Sequence, residues 1–187
     1  MGDVIDRDGF RANVGIVLMD GNGRLFIGRR SGGRGWQFPQ GGMKRGELPE
    51  EALFRELGEE IGLKREDVEI IGRTRNWLRY RLPARYQRRD SRPRCIGQKQ
   101  RWFMLRLKQA DPQFRFDTTG EPEFDRWRWV DYWQPIREVI YFKRTVYTRA
   151  LHELGAQVFP KDLPPYPAWW HQATDGDAAG DAEAEAS

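Results

Sequence analysis

The stretch GGMKRGELPEEALFRELGEEIGL, residues 41 to 63, combines an apolar stripe with an acidic one. A helix turns 100° per residue, so offsets of three and four return to one face and place Glu56, Glu59 and Glu60 within about a 100° arc. Leu53, Phe54, Leu57 and Ile61 occupy the neighbouring arc and can dock on a sheet. The spacing predicts a helix over Leu48 to Ile61, stopped by Gly62. Like charges at these offsets cost a few tenths of a kcal/mol per pair, and more when partly buried, so three carboxylates in one patch call for a compensating cation. Clustered hard oxygen donors select Mg²⁺ or Mn²⁺ over zinc. Arg55 borders the patch and is placed to orient a ligand, with Glu47 from the preceding loop as its partner. Glutamate pairs on a helix are usually no more than a solvated face. The neighbouring sequence is needed to decide between the two readings.

Upstream, Val14 to Met19 is an apolar run, Asp20-Gly21-Asn22-Gly23 is a turn signal and Leu25-Phe26-Ile27 a second run, which together predict a hairpin. Ser31 to Gly35 reads as a loop. Downstream, Val68 to Thr74, Trp77 to Leu82, Arg101 to Leu107 and Trp127 to Val130 read as strands, with residues 83 to 97, bracketed by Pro83 and Pro93, as a connecting loop. Mixed pairing is the natural assembly of these pieces. Pro135 is placed to open a second helix carrying Ile136, Val139, Ile140, Val146, Ala150, Leu151 and Leu154, broken near Tyr141 and ending before Gly155. That helix is expected on the other face of the sheet.

The 187 residues suit one ordinary domain, expected over residues 1–157. Pro160, Pro164, Pro165 and Pro167 then favour an extended arm, residues 158–174, that Trp169 and Trp170 can anchor. Residues 175–187 have neither aromatic nor branched apolar side chains and read as a disordered acidic tail. The net charge is +4, of which the tail contributes −5, so the body carries +9. Ten Arg and one Lys stand against one acid between Arg73 and Arg101, interleaved with Trp77, Tyr80 and Tyr86, a composition that attracts polyanions. A single Cys95 excludes an internal disulfide, and neither a long apolar run nor a secretion signal is visible, so a soluble cytoplasmic protein without a membrane partner is expected. His152 and His171 are given no role.

The whole string fits Gly-x5-Glu-x7-Arg-Glu-U-x-Glu-Glu-x-Gly-U (U a branched apolar residue) through Gly41, Glu47, Arg55, Glu56, Leu57, Glu59, Glu60, Gly62 and Leu63. Chance agreement is on the order of one in ten million. This is the Nudix box, and the sequence resembles Nudix hydrolases. The resemblance implies an α/β/α sandwich around a mixed sheet and hydrolysis of a phosphoanhydride with a divalent metal. It implies Glu56, Glu59 and Glu60 as metal ligands, one of them a possible base. By the same resemblance Glu123, in PEFDRW, is a further ligand or the base, and Arg55, Glu56, Glu60 and Glu123 form the catalytic set.

The flanks WQFPQGG (36–42), RNWLRYRLP (75–83), CIGQKQRWF (95–103), PEFDRWRWV (122–130) and YFKRTVY (141–147) resemble the bacterial RNA 5′-pyrophosphohydrolases, also described as dinucleoside polyphosphate hydrolases. The implied substrate is a triphosphorylated RNA 5′ end that keeps one phosphate after pyrophosphate leaves. Dinucleoside tetra- or pentaphosphates are the rival substrates, and a non-catalytic module that binds nucleotide or RNA is the rival of another kind. The implied phosphate contacts are Arg11, Arg30 and Tyr80, and the implied base contacts are Phe142, Lys143 and Gln98.

Overall fold

A computed structural model describes residues 4–33, 35–87, 93–118 and 120–170. Arg88 to Arg92 of the basic stretch, His171 and the acidic tail lie outside the described residues. The centre of the fold is strand β1 (Phe10–Met19), buried on both faces and therefore apolar nearly throughout. Along its whole length it pairs in parallel with β7 (Gly97–Leu107), from Phe10↔Gly97 to Met19↔Arg106. All other pairings are antiparallel. β2 (Leu25–Arg30) carries β3 (Trp36–Gln37) and β8 (Phe124–Val130), while β7 carries β5 (Val68–Arg73) and β6 (Leu78–Arg81). Short β4 (Gln40–Gly42) lies on β1. The sheet is thus mixed, as the sequence predicts, with strands β1, β2, β7 and β8 longer than their apolar runs.

The expected hairpin exists only at its neck. Asp20 closes the turn by accepting from the Asn22 and Arg24 amides at 2.9 and 2.8 Å, yet Met19↔Leu25 is the one residue pair that joins β1 to β2. The strands part because β4 occupies that edge of β1, with Asn13 opposite Gly42 and Gly15 opposite Gln40. β2 therefore finds its partners in β8 and β3.

Helix α1 (Pro49–Ile61) begins with Pro, whose missing N–H is lost at no cost in the first turn, and Glu51 reaches back to accept from the Leu48 amide at 2.8 Å. Gly62, at φ 74°, ends it in the left-handed region where a glycine is favoured. Leu53, Leu57 and Ile61 pack fully buried against Val14, Ile16 and Leu18 of β1. Each such side chain contributes about 1.5–3 kcal/mol, far more than the few tenths that each acidic pair costs, so the apolar flank holds the acidic flank in place.

On the other face, α2 (Gln134–Glu138) and α3 (Arg144–Val158) are separated by a 3₁₀ turn over Tyr141–Lys143, the expected break. Val146, Tyr147, Ala150, Leu151 and Leu154 pack with Val17, Met19 and Trp102. The helix does not stop before Gly155 but runs through it. Gly155 is there for packing: a Cβ would lie 2.6 Å from Leu163 Cδ1 and 2.7 Å from the Tyr132 hydroxyl. Beyond α3 the chain folds back over Trp133, whose indole N–H donates to the Pro164 carbonyl at 2.8 Å, while Tyr166 and Trp170 pack on its ring at 4.9 and 5.0 Å. No helix among the described residues is long and apolar enough to cross a membrane.

Candidate active site

The start of β1, the β4 segment, the acidic flank of α1 and the residues just before β8 meet at one end of the sheet. Arg55 organises this corner. Its Nε and Nη2 donate to Glu47 at 2.7 and 2.9 Å, Nη2 to the Gly42 carbonyl at 2.8 Å, and Nη1 to Glu56 at 2.6 Å and Glu59 at 3.3 Å. A guanidinium has five N–H groups in a rigid fork, and here they serve five bonds, so Arg55 is a strut between loop, strand and helix. Glu47 is fixed in return, its carboxyl held below the usual range by the Arg55 hydrogen bonds.

Glu56 and Glu60 are buried, while the Glu59 side chain is 43% exposed beside Arg55. Burial is the first cause raising the Glu56 carboxyl, with Arg55 opposing it. The Glu60 carboxyl lies well above its ordinary range, from burial first and then from the charges of Glu56 and Glu123, against a hydrogen bond from the Gln40 amide at 3.0 Å. Glu123 accepts from Arg30 Nε at 2.9 Å. The four glutamates do not converge into a ready cage: among the described residues no three carboxylate, imidazole or thiol groups do so. The donor set nonetheless fits a hard divalent cation. Buried carboxylates that repel one another carry a desolvation and Coulomb penalty that Mg²⁺ or Mn²⁺ would remove.

The paired glycines are explained by what lies against them. A Cβ on Gly41 would fall 1.8 Å from the Glu56 carboxyl carbon, and one on Gly42 would fall 2.2 Å from Arg11 Nη2. Arg11 and Glu56 thus pass directly over successive residues of β4. Of the other box residues, Leu57 and Leu63 are buried in the core and Gly62 caps the helix.

Two residues expected at the substrate lie deeper than the sequence suggests. Tyr80 is 7% exposed, and its hydroxyl donates to Gln98 Oε1 at 2.8 Å, so phenol and amide are committed to each other. Lys143 is also 7% exposed; its ammonium donates to Gln37 at 3.2 Å and lies 5.9 Å from the Tyr80 ring centre. Burial and the nearby Arg30 pull Lys143 down to about 8, against Glu123 and Glu60. Its surroundings are therefore those of the carboxylate corner. Phe142 is stacked on Tyr80 at 6.1 Å. Gln37, whose side chain accepts from Lys143, and Gln40, whose backbone N–H donates to Glu60, carried no chemical signal of their own in the sequence; only their place inside WQFPQGG marked them.

This arrangement of box glutamates on a sandwich of helices and mixed sheet defines a class. The NUDIX domain matches residues 9–150, and the chain belongs to the Nudix family. Within it, the chain is similar to proteins named RNA pyrophosphohydrolase. That of Alkalilimnicola ehrlichii is 60% identical over 164 residues, covering 88% of this chain and 91% of the relative. That of Thioalkalivibrio sulfidiphilus is 57% identical over 86% of this chain and 93% of its own length. One from Pseudomonas putida is 56% identical over 85% of this chain and all of its own. Among solved structures, an Escherichia coli dihydroneopterin triphosphate pyrophosphohydrolase superposes with a TM-score of 0.61 at 18% identity, over 80% of this chain and 98% of its own. A Caenorhabditis elegans Ap4A hydrolase does so with 0.55 at 17%, over 75% and 94%. At these identities the structures speak for the fold alone.

Proposed function

We propose that this chain is an RNA pyrophosphohydrolase, which removes pyrophosphate from triphosphorylated 5′ ends and leaves a monophosphate that exposes the transcript to decay. The observation that carries the reading is the adjacency, at one end of the sheet, of three kinds of group. They are the buried glutamates Glu56 and Glu60, the cations Arg11, Arg30 and Lys143, and the aromatic pair Tyr80 and Phe142. A triphosphorylated RNA end offers the matching sequence of metal-binding phosphates, further anionic oxygens and an unstacked base. The high identity to RNA pyrophosphohydrolases over nearly their full length supports the same substrate.

Glu56 and Glu60, with Glu59 and Glu123 beside them, would hold Mg²⁺ or Mn²⁺, which supplies neutralisation of adjacent phosphates and acidification of water at the site. Arg55 Nη1 holds both Glu56 and Glu59, and the backbone N–H of Gln40 holds Glu60. Arg11 and Arg30 bind the phosphate oxygens, joined by Lys143, which the resemblance gave as a base contact but which lies beside Arg30, Glu60 and Glu123. The Arg30–Glu123 contact is a half-exposed pair of small worth, so Arg30 is able to exchange it for phosphate. A glutamate of the set takes the proton of the attacking water as pyrophosphate leaves in line. The substrate places this activity in the cytoplasm.

Glu60→Gln is expected to lower turnover of triphosphorylated RNA by at least about 10²-fold while largely preserving RNA affinity. Unaltered turnover in that variant would contradict the site. Purified enzyme with Mg²⁺ should release pyrophosphate from triphosphorylated RNA; far faster cleavage of diadenosine tetraphosphate at matched concentration would move the assignment to the smaller substrate.

A further inference from the structure

Large apolar side chains that stay exposed among the described residues include Tyr86 at 43% and Tyr141 at 49%. These two are not scattered. Both lie against Phe142, with ring centres 4.9 and 5.4 Å away, and Arg85 ties them together. The Arg85 guanidinium carbon sits 5.1 Å from the Tyr86 ring centre and 5.6 Å from that of Tyr141, and Nη2 donates to the Tyr141 hydroxyl at 3.2 Å. On its inner side Phe142 stacks on buried Tyr80, which adjoins Lys143 and through it the carboxylate corner. A continuous aromatic ridge therefore leads outward from the phosphate end of the site and finishes in two half-exposed tyrosines held by a cation.

We propose that Tyr86, Arg85 and Tyr141 form a stacking subsite for a nucleobase of single-stranded RNA, one or more nucleotides downstream of the base that Phe142 takes. The inference rests on the RNA reading above and extends it along the strand. Aromatic faces accept any base, and a planar guanidinium between two rings both stacks and attracts the passing phosphodiester. The strongly basic stretch from Arg73 to Arg101, in which Arg85 and Tyr86 lie, favours a polyanion here over a protein partner. A dinucleoside polyphosphate supplies two bases joined through phosphates and no continuing strand, so the platform distinguishes a polymer from a small nucleotide.

The test is kcat/KM on unstructured triphosphorylated RNAs of one to six nucleotides, for wild type, the double variant Tyr86→Ala/Tyr141→Ala and the double variant Tyr86→Phe/Tyr141→Phe. In wild type kcat/KM should rise with length. In the alanine variant the hexanucleotide value should fall about 5- to 20-fold through KM, the lower part of the range for base stacking because the rings stay half exposed. The shortest RNA that is cleaved should keep its value, and the phenylalanine variant should retain most of the gain with length. A hexanucleotide advantage that survives in the alanine variant overturns the proposal, as does an equal loss on the shortest substrate, which would mean that the tyrosines only prop Phe142. Absence of any length dependence in a wild type that does cleave RNA overturns the platform alone. Absence of turnover on every triphosphorylated RNA overturns the functional reading and the platform with it.

Discussion

At Gly41 the distance from side chain to backbone leaves no room for a single added carbon. The Glu56 carboxyl lies where a Cβ would stand, 1.8 Å from it, and the same Glu56 is pinned from the other side by Arg55 Nη1 at 2.6 Å. Gly41→Ala must therefore push the carboxylate off its place or move β4. Because misplacement of a reacting group by about 1 Å can cost 10²-fold, the variant is expected to lose about that much in kcat. It should still fold, since the apolar face of α1 is untouched; near-normal kcat with a normal thermal transition would show that Glu56 need not sit where it does. Spacing alone put Glu56, Glu59 and Glu60 on one helix face, and the full box string around them gave that face its chemical reading. The reason for Gly41 was not legible in the sequence, because the contact it makes room for lies fifteen positions further along the chain.

At the scale of elements, the same physics that seats α1 decides which strands pair. The apolar runs of β1 and β2 and the turn between them were visible in sequence, yet their pairing was not. Pairing depends on competition for an edge, and β4 contains two glycines and no branched apolar residue to announce a strand. The N-terminal segment before β1 supplies another join that spacing could not reveal. Asp6 accepts from the amides of Asp8 and Phe10 at 3.0 and 2.9 Å and from the Lys99 ammonium of β7 at 2.9 Å. Burial alone would raise the Asp6 carboxyl, but the Lys99 hydrogen bond and the Phe10 amide outweigh it and hold it below its ordinary value of 3.8. A carboxyl that is more acidic folded than unfolded stabilises the protein above its unfolded pKa, and the contribution disappears as pH falls through the folded value. Asp6→Asn should accordingly lower stability at pH 7 by no more than about 1 kcal/mol, given the partial exposure of the pair. The gap between variant and wild type should begin to narrow below about pH 3.8 and close as the folded carboxyl is protonated. Denaturant titrations at pH 7 and pH 3 measure both; a gap that widens in acid would reverse the sign of the argument.

For the molecule as a whole, the length of β1 separates activity from anchoring. Arg11 and Met19 stand at its two ends, about 26 Å apart at the rise of a strand. The site gathers at the Arg11 end. The arm after α3 lies at the other, where Asn22, Gly23 and Arg24 share with Trp133, Pro164 and Trp169 the lining of a hollow of about 560 Å³. Trp133 is 2% exposed and supports Tyr166 and Trp170, so Trp133→Ala is expected to cost about 3–5 kcal/mol while leaving kcat and KM of the folded enzyme unchanged. A variant of normal stability, or one with a raised KM for RNA at permissive temperature, would show that the two ends are coupled.

The box pattern determined on its own that an acidic ridge sits on a helix with an apolar back, because helical period and residue type are local quantities. The same holds for the break near Tyr141 and for the excess of arginine between residues 73 and 101. What only the folded chain decided is how far each of these groups is withdrawn from water. Tyr80 and Lys143 looked like substrate contacts in the sequence and are buried, with Gln98 half-buried against Tyr80, while Tyr86 and Tyr141, given no role at the site there, remain outside around Phe142. Burial depends on what arrives from distant parts of the chain to cover a side chain, and no property of the residue or its immediate neighbours contains that information.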